Sequence, residues 1–174
     1  MPPPIPVELL PYDAVWPAMA ADFAGQLRAL GGFIVDVHHI GSTSVPGLSA
    51  KPIIDLMPVV TSLSELDRRR PSVIALGFDW HGELGMAGRR YCTLSDRDGQ
   101  RIAQLHCFEE GSPHIARHLA FRDYLRAHRE TARAYEQEKR RARDLHPNDS
   151  HAYTDAKDAW IRKLESKALI WYKA

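Results

Sequence analysis

Asp55 sits inside the apolar run Pro52-Ile53-Ile54-Asp55-Leu56-Met57, where a carboxylate is costly to desolvate unless a cation or hydrogen-bond donors meet it. Upstream, an apolar run ends in Gly41-Ser42-Thr43-Ser44, a turn of small residues. Backbone N–H groups at such a turn can approach phosphate oxygens closely, and the hydroxyls of Ser42 and Thr43 add donors. Lys51 lies between the two, either as a point charge for phosphate or as a partner that neutralises Asp55. This spacing points to the grip of a phosphate beside a cation. The plainer alternatives are a turn held by its own side-chain bonds and a buried aspartate that caps it.

These groups need a sheet to hold them. Residues 33–40 and 53–60 read as strands, the second largely buried. Residues 13–30 read as a helix, with Pro17 near its first turn and Gly31-Gly32 as its stop. Residues 62–76 are helical with an interruption at Pro71, and Gly77 ends them. Residues 89–95 and 101–108 flank Asp98-Gly99, a preferred two-residue hairpin turn. In that register Tyr91 faces His106. Alternation then places Cys92, Leu94, Ala103, Leu105 and Cys107 on an apolar face. Arg89, Tyr91, Thr93, Ser95, Gln104 and His106 share the other, with Ile102 and Phe108 as its apolar members, and a cleft belongs there.

Ser112-Pro113 opens a helix, 128–145 forms a second and 151–170 a third, while 2–6 should be an extended or frayed arm. The predicted class is α+β (mixed α/β): a small mixed β-sheet backed by helices, with a helical C-terminal part. One domain is expected over 1–174, with 1–112 as its sheet-containing core and 113–174 as its helical part.

Bulk properties narrow the setting. No apolar run approaches the roughly 18 residues of a membrane span. The N-terminus lacks the basic and apolar segments of a secretory signal. The two cysteines, Cys92 and Cys107, form neither a disulfide framework nor a zinc signature and read as core thiols. A cytoplasmic protein without a membrane partner is expected. The net charge of +1 hides an asymmetry. Residues 1–112 hold 9 Lys/Arg against 13 Asp/Glu, whereas 113–174 hold 14 against 9. The basic helices could face phosphates or simply be solvated. Alone they give little ground for nucleic-acid binding, which is not expected.

The run His39-Ile40-Gly41-Ser42-Thr43-Ser44-Val45-Pro46-Gly47-Leu48-Ser49-Ala50-Lys51-Pro52-Ile53-Ile54-Asp55 resembles the signature of the GrpB family, part of the nucleotidyltransferase superfamily. Similarity extends from Val7-Glu8-Leu9-Leu10-Pro11-Tyr12-Asp13 through Gly88-Arg89-Arg90-Tyr91 and Leu105-His106 to residues 118–126 and 153–157. The resemblance implies a nucleotidyltransferase-like fold with a cleft for a nucleotide or other phosphorylated small molecule. It implies site roles for His106 and the basic-aromatic segment at Arg89 and Tyr91. It also implies that His118, Arg122 and Lys157 line the far wall. Some relatives are fused to dephospho-CoA kinase, which makes a coenzyme A precursor one conceivable ligand.

Nucleotidyltransferases usually follow Gly-Ser with two carboxylates spaced Asp-x-Asp or Asp-x-Glu, which hold magnesium against a triphosphate. Gly41, Ser42 and Asp55 keep that order here, but Met57 stands where the second carboxylate belongs. A divalent metal on Asp55 and His106 would be magnesium or manganese, or zinc or nickel if the imidazole is a ligand. His106 could instead be a general base. The expected catalytic and metal residues are therefore Asp55 and His106. The expected ligand contacts are Gly41, Ser42, Thr43, Lys51, Arg89, Tyr91, His118, Arg122 and Lys157. A nucleotidyltransferase-like transferase is the leading expectation. The alternatives are a non-catalytic binding module for a nucleotide or coenzyme A precursor, and a scaffold turned to acid–base or metal chemistry on another molecule. His38 and His39 point to opposite strand faces, so at most one could serve the site. His114, His128, His146 and His151 lack ligand-like spacing and read as surface residues.

Overall fold

A computed structural model describes residues 1–174. The elements run α1 (Val15–Arg28), β1 (Ile34–Ile40), a 3-10 turn (Ser42–Ser44), β2 (Ile54–Val60), α2 (Leu63–Arg68), α3 (Arg70–Ala75) and β3 (Asp79–Trp80). They continue with β4 (Arg89–Ser95), β5 (Arg101–Glu109), α4 (Pro113–Ala127), α5 (Arg129–Leu145) and α6 (Ser150–Lys173). The five strands form one mixed sheet in the order β1-β2-β5-β4-β3. Only β2 and β5 pair in parallel, and this places Asp55 beside Gln104 at the sheet centre. The mixed α/β class read from the sequence is the class observed.

Two unlike faces of the sheet explain the layering. On one, Ile54, Leu56 and Val60 of β2 join Cys92, Ala103, Leu105 and Cys107 of the hairpin. The stripe Trp16, Ala20, Ala24 and Leu27 of α1 covers them, with Leu66 of α2 and Val73 of α3. Its spacing of four, four and three keeps one helix face on the sheet. Burying each large side chain of this set contributes roughly 1.5–3 kcal/mol. On the other face, Ile40, Met57 and Phe108 pack beneath Ile115 and Leu119 of α4. Helices α4 to α6 have their own core of Ala120, Tyr124, Leu125, Tyr135, Leu164 and Ala168. Val45 and Leu48 reach into that core, so the loop after the 3-10 turn is clamped between sheet and helices.

One local expectation needs correction, one open alternative is decided, and one strand is added. The hairpin turn holds three residues rather than two. Asp96 N donates to Gln100 O (2.8 Å) and Gly99 N to Asp96 O (3.0 Å), with Gly99 at φ +79°. This is the three-residue loop that ends in a left-handed residue. A bulge between Leu94 and Ser95 absorbs the extra residue, so the predicted pairing of Tyr91 with His106 holds. The N-terminal arm is extended but not frayed. Ile5 and Ser150 exchange hydrogen bonds of 3.1 and 3.0 Å, and Val7 N donates to Pro147 O at 2.8 Å. The edge strand β3 carries no pattern of its own. It exists because Asp79 and Trp80 pair with Thr93 and Cys92.

Candidate functional site

A cleft of about 580 Å³ separates the second face of the sheet from the helical part, within the range of small-molecule sites. Its floor begins at Gly41, whose φ of +72° suits glycine. A Cβ there would stand 2.7 Å from Asp55 Oδ2, so the glycine also gives the carboxylate room. The turn is braced by its own side chains. Ser44 Oγ donates to Gly41 O at 2.5 Å, and His39 Nε2 is 2.8 Å from Thr43 Oγ1.

Asp55 meets donors at the edge of the cleft, with its side chain 24% exposed. Its Oδ1 accepts from Gln104 Nε2 at 2.8 Å and lies 3.2 Å from His106 Nε2. Tyr91 Oη donates to Gln104 Oε1, which fixes the amide so that its NH₂ faces Asp55. Burial raises the Asp55 carboxyl, but the bond and charge of His106, the Gln104 bond and Lys51 outweigh it and hold it below its ordinary value. Burial and the neighbouring Asp55 charge push the Tyr91 phenol up to about 12, which keeps it a donor. His106 therefore stands beside an ionised carboxylate whose orientation is set from behind. An Asp–His pair so arranged can take up a proton at the free ring nitrogen.

The helical wall is built differently. On α4, His114, Arg117, His118 and Phe121 fall on one stripe of the helix. Arg117 donates to Glu165 Oε1 (2.6 Å) and His114 Nδ1 (3.2 Å), with His118 Nε2 at 3.2 Å. Burial, aided by His106 and Arg117, lowers the His118 pKa to about 2, so its ring is neutral. Deeper in, Lys51, Lys139 of α5 and Lys157 of α6 converge. Lys139 is 1% exposed and Lys157 8% exposed. Lys139 donates to Ser49 O. Lys51 and Lys157 make no hydrogen bond or ion pair within the protein, yet no fully buried polar atom is left without a partner, so both ammonium groups meet the cleft. Lys157 Nζ stands 4.0 Å from the Tyr153 ring centroid, and Lys51 Nζ 5.4 Å from it. Burial lowers Lys139 and Lys157 to about 7, and repulsion from Lys51 adds to it. Three ammonium groups here repel one another unless an anion joins them.

The donor set for a metal is small. Asp55 and His106 are the one such pair in the cleft, and no group of three His, Cys, Asp or Glu converges to hold an ion. The position of the second carboxylate is Met57, fully buried against Ile40 and Phe108. A magnesium ion prefers six oxygens in near-octahedral geometry, and these residues supply one carboxylate.

Of the residues singled out from the sequence, Gly41, Ser42, Thr43, Lys51, Asp55, His106, His118 and Lys157 line this one cleft. Three others do not reach it. The Arg89 guanidinium is held by Glu83 O (3.2 Å) and Leu84 O (2.8 Å), over the Tyr91 ring. Tyr91 stands behind Gln104. Arg122 turns toward β1, where it donates to His39 O (3.2 Å) and Asp123 (2.7 Å). The face of α4 that meets the cleft is one residue step from the face His118 and Arg122 share. His114, expected at the surface, lines the cleft and stacks on Phe108 at 5.1 Å. His128, also expected at the surface, is half-buried and stacks on Tyr124 at 3.9 Å.

Sequence reasoning placed Gln104 on the cleft face without giving it a role and passed over Arg117, Tyr135, Lys139, Tyr153 and Glu165; all six line the cleft. The signal was present as helix stripes, 114/117/118/121 on α4, 135/139 on α5 and 154/157/158/161/165 on α6. Polar members made these stripes look like solvated faces.

The fold and site define the class: a five-stranded mixed sheet with helices on both faces and a helical C-terminal region. A family model described as GrpB protein matches residues 6–167. The chain is 38% identical to UPF0157 protein YqkA of Bacillus subtilis over 96% of its own length, and spans 48% of that protein. It is 33% identical to UPF0157 protein SCO7215 of Streptomyces coelicolor, covering 93% of this chain and 84% of the relative. The crystal structure of conserved protein GrpB from Enterococcus faecalis matches with a TM-score of 0.89 at 34% identity, over 96% of this chain and 100% of that one. This chain belongs to the GrpB family. No helix is long and apolar enough to cross a membrane.

Proposed function

We propose that the cleft binds a nucleotide or other phosphorylated small molecule, with its phosphate against Lys51, Lys139 and Lys157 and the Ser42-Thr43 turn. The observation that carries this reading is the convergence of three lysines, two of them without a hydrogen bond or ion pair, on one cavity. An anion there would relieve their mutual repulsion and regain charge-assisted hydrogen bonds. Asp55 and His106 flank the same space, so the bound ligand would lie within reach of a general base. In a nucleotidyltransferase-like reaction, a hydroxyl would attack the α-phosphorus of a nucleoside triphosphate and pyrophosphate would leave, while His106 takes the hydroxyl proton and Asp55 steadies the resulting imidazolium. Lysines beside the phosphate would offset charge that develops during transfer.

Met57 favours a second reading, a recognition module that binds a nucleotide or a coenzyme A precursor without turning it over. The two readings separate on Asp55→Ala. Thermal-shift titrations with nucleoside triphosphates, inorganic phosphate and coenzyme A precursors should raise the melting temperature of both proteins. If the cleft is catalytic, mass-spectrometric turnover assays lose activity at least about a hundredfold in Asp55→Ala while ligand binding survives. Absence of a shift with every phosphorylated compound would sink the phosphate reading altogether.

A further inference from the structure

We infer that the three lysine ammonium groups do the work of a divalent cation here, so that the cleft takes a dianionic phosphate end group, such as a phosphomonoester, without a metal ion. The inference rests on the phosphate reading above and deepens it. Charge balance is the first argument. Five cationic and three acidic side chains line the cleft. Arg117 is paired with Glu165 at 2.6 Å, and Arg162 with Asp158 at 2.6 Å. That leaves Lys51, Lys139 and Lys157 against Asp55 alone, an excess of two positive charges once a bound anion keeps all three lysines protonated. Glu136 and Glu138, on the flank of α5, do not cancel it. Glu136 accepts from Ser49 N and lies 3.6 Å from Arg140, while Glu138 is held by Arg141. A phosphomonoester at neutral pH carries close to two negative charges and completes the balance.

The second argument is the poverty of the donor set for a cation. Asp55 Oδ1 is already engaged by Gln104 and His106, and Oδ2 faces the Gly41 backbone. A metal placed on this carboxylate would add two positive charges beside three ammonium groups. The strand position that should share it holds Met57 within an apolar cluster. Lys157 supplies the third argument, since it is more than nine-tenths buried, carries no protein hydrogen bond and lines the cavity. A lysine with only a structural role would have a carbonyl or carboxylate to meet.

Isothermal titration calorimetry with inorganic phosphate, pyrophosphate and adenosine 5′-monophosphate tests this, each run in EDTA and again in magnesium or manganese. Binding is expected in EDTA, with Kd changing less than about threefold when metal is added. Lys157→Met should weaken that binding at least about tenfold. It should also raise the melting temperature of the ligand-free protein, because a repelled charge is removed from a buried position. A structural lysine would lower the melting temperature instead. Lys51→Met, at a half-buried position, provides the same pair of readouts if Lys157→Met does not fold. Binding that appears only with magnesium or manganese, or that neither variant weakens, overturns the inference and leaves the phosphate reading standing. No binding by any probe in either buffer overturns both.

Discussion

The two walls of the cleft handle buried polarity in opposite ways. On the sheet wall, Tyr91 donates to Gln104, Gln104 to Asp55, and His106 faces the same carboxylate, so each polar group has a partner. On the side that faces the helices, Lys51 of the loop before β2 and Lys157 of α6 have the Tyr153 ring near them and no hydrogen-bonding partner. A satisfied network fixes geometry and adds to stability. An unsatisfied cluster of like charges opposes folding and is stabilised by whatever anion it captures. On the proposed phosphate reading, the contrast separates a part that positions from a part that binds. Two of the lysines come from helices α5 and α6 and the third from the loop before β2, while Asp55 and His106 come from neighbouring strands of one sheet.

Three experiments bear on this contrast. The largest effect is expected from Met57→Asp, which restores the missing carboxylate by sequence but places it among Ile40, Phe108 and Leu119. Loss of a buried apolar side chain together with burial of an unpaired carboxyl should cost about 4 kcal/mol or more, read by urea denaturation. A stable variant with new magnesium affinity would show that the sheet wall can still host the two-carboxylate site.

A middle-sized effect concerns pH. Burial and mutual repulsion bring Lys139 and Lys157 from 10.5 to about 7 in the folded state. Between pH 7 and 10.5 the unfolded chain therefore holds more protons, and stability of the ligand-free protein should climb as pH rises. The slope is on the order of 1 kcal/mol per pH unit for each lysine. Burial raises the Cys92 thiol from 9.0 to about 12, which works in the opposite direction above pH 9, so the readable window is pH 7–9. Denaturation at pH 7, 8 and 9 should show the climb in wild type and a shallower one in Lys157→Met. Equal slopes in the two proteins would remove the lysines as its source.

The smallest effect is expected from Tyr91→Phe. It removes the donor that orients Gln104, at about 1 kcal/mol, and frees the amide to rotate away from Asp55. If the sheet wall serves only to position, kcat should fall severalfold with ligand affinity unchanged. A loss of affinity instead would mean that Tyr91 or Gln104 touches the ligand.

Local chemistry made much of this protein legible from its residues in order. The strands at 33–40 and 53–60, the hairpin register that faces Tyr91 with His106, and the helices of the C-terminal part follow from alternation, capping and breakers, which act over a few residues. So does the peculiarity of Asp55, because a carboxylate in an apolar run always needs a partner. Which partners it found is a long-range matter. Asp55 and Gln104 are 49 positions apart in sequence and meet only because β2 and β5 pair in parallel. Lys139 looked like a member of a solvated helix face, since a helix stripe does not reveal what lies opposite it, and Lys157 reached the cleft wall only through the family resemblance. The packing of α5 and α6 against the sheet buried them beside Lys51. That decision belonged to the tertiary structure, because repulsion between charges depends on distance through space, and residues 51, 139 and 157 become neighbours only when the chain has folded.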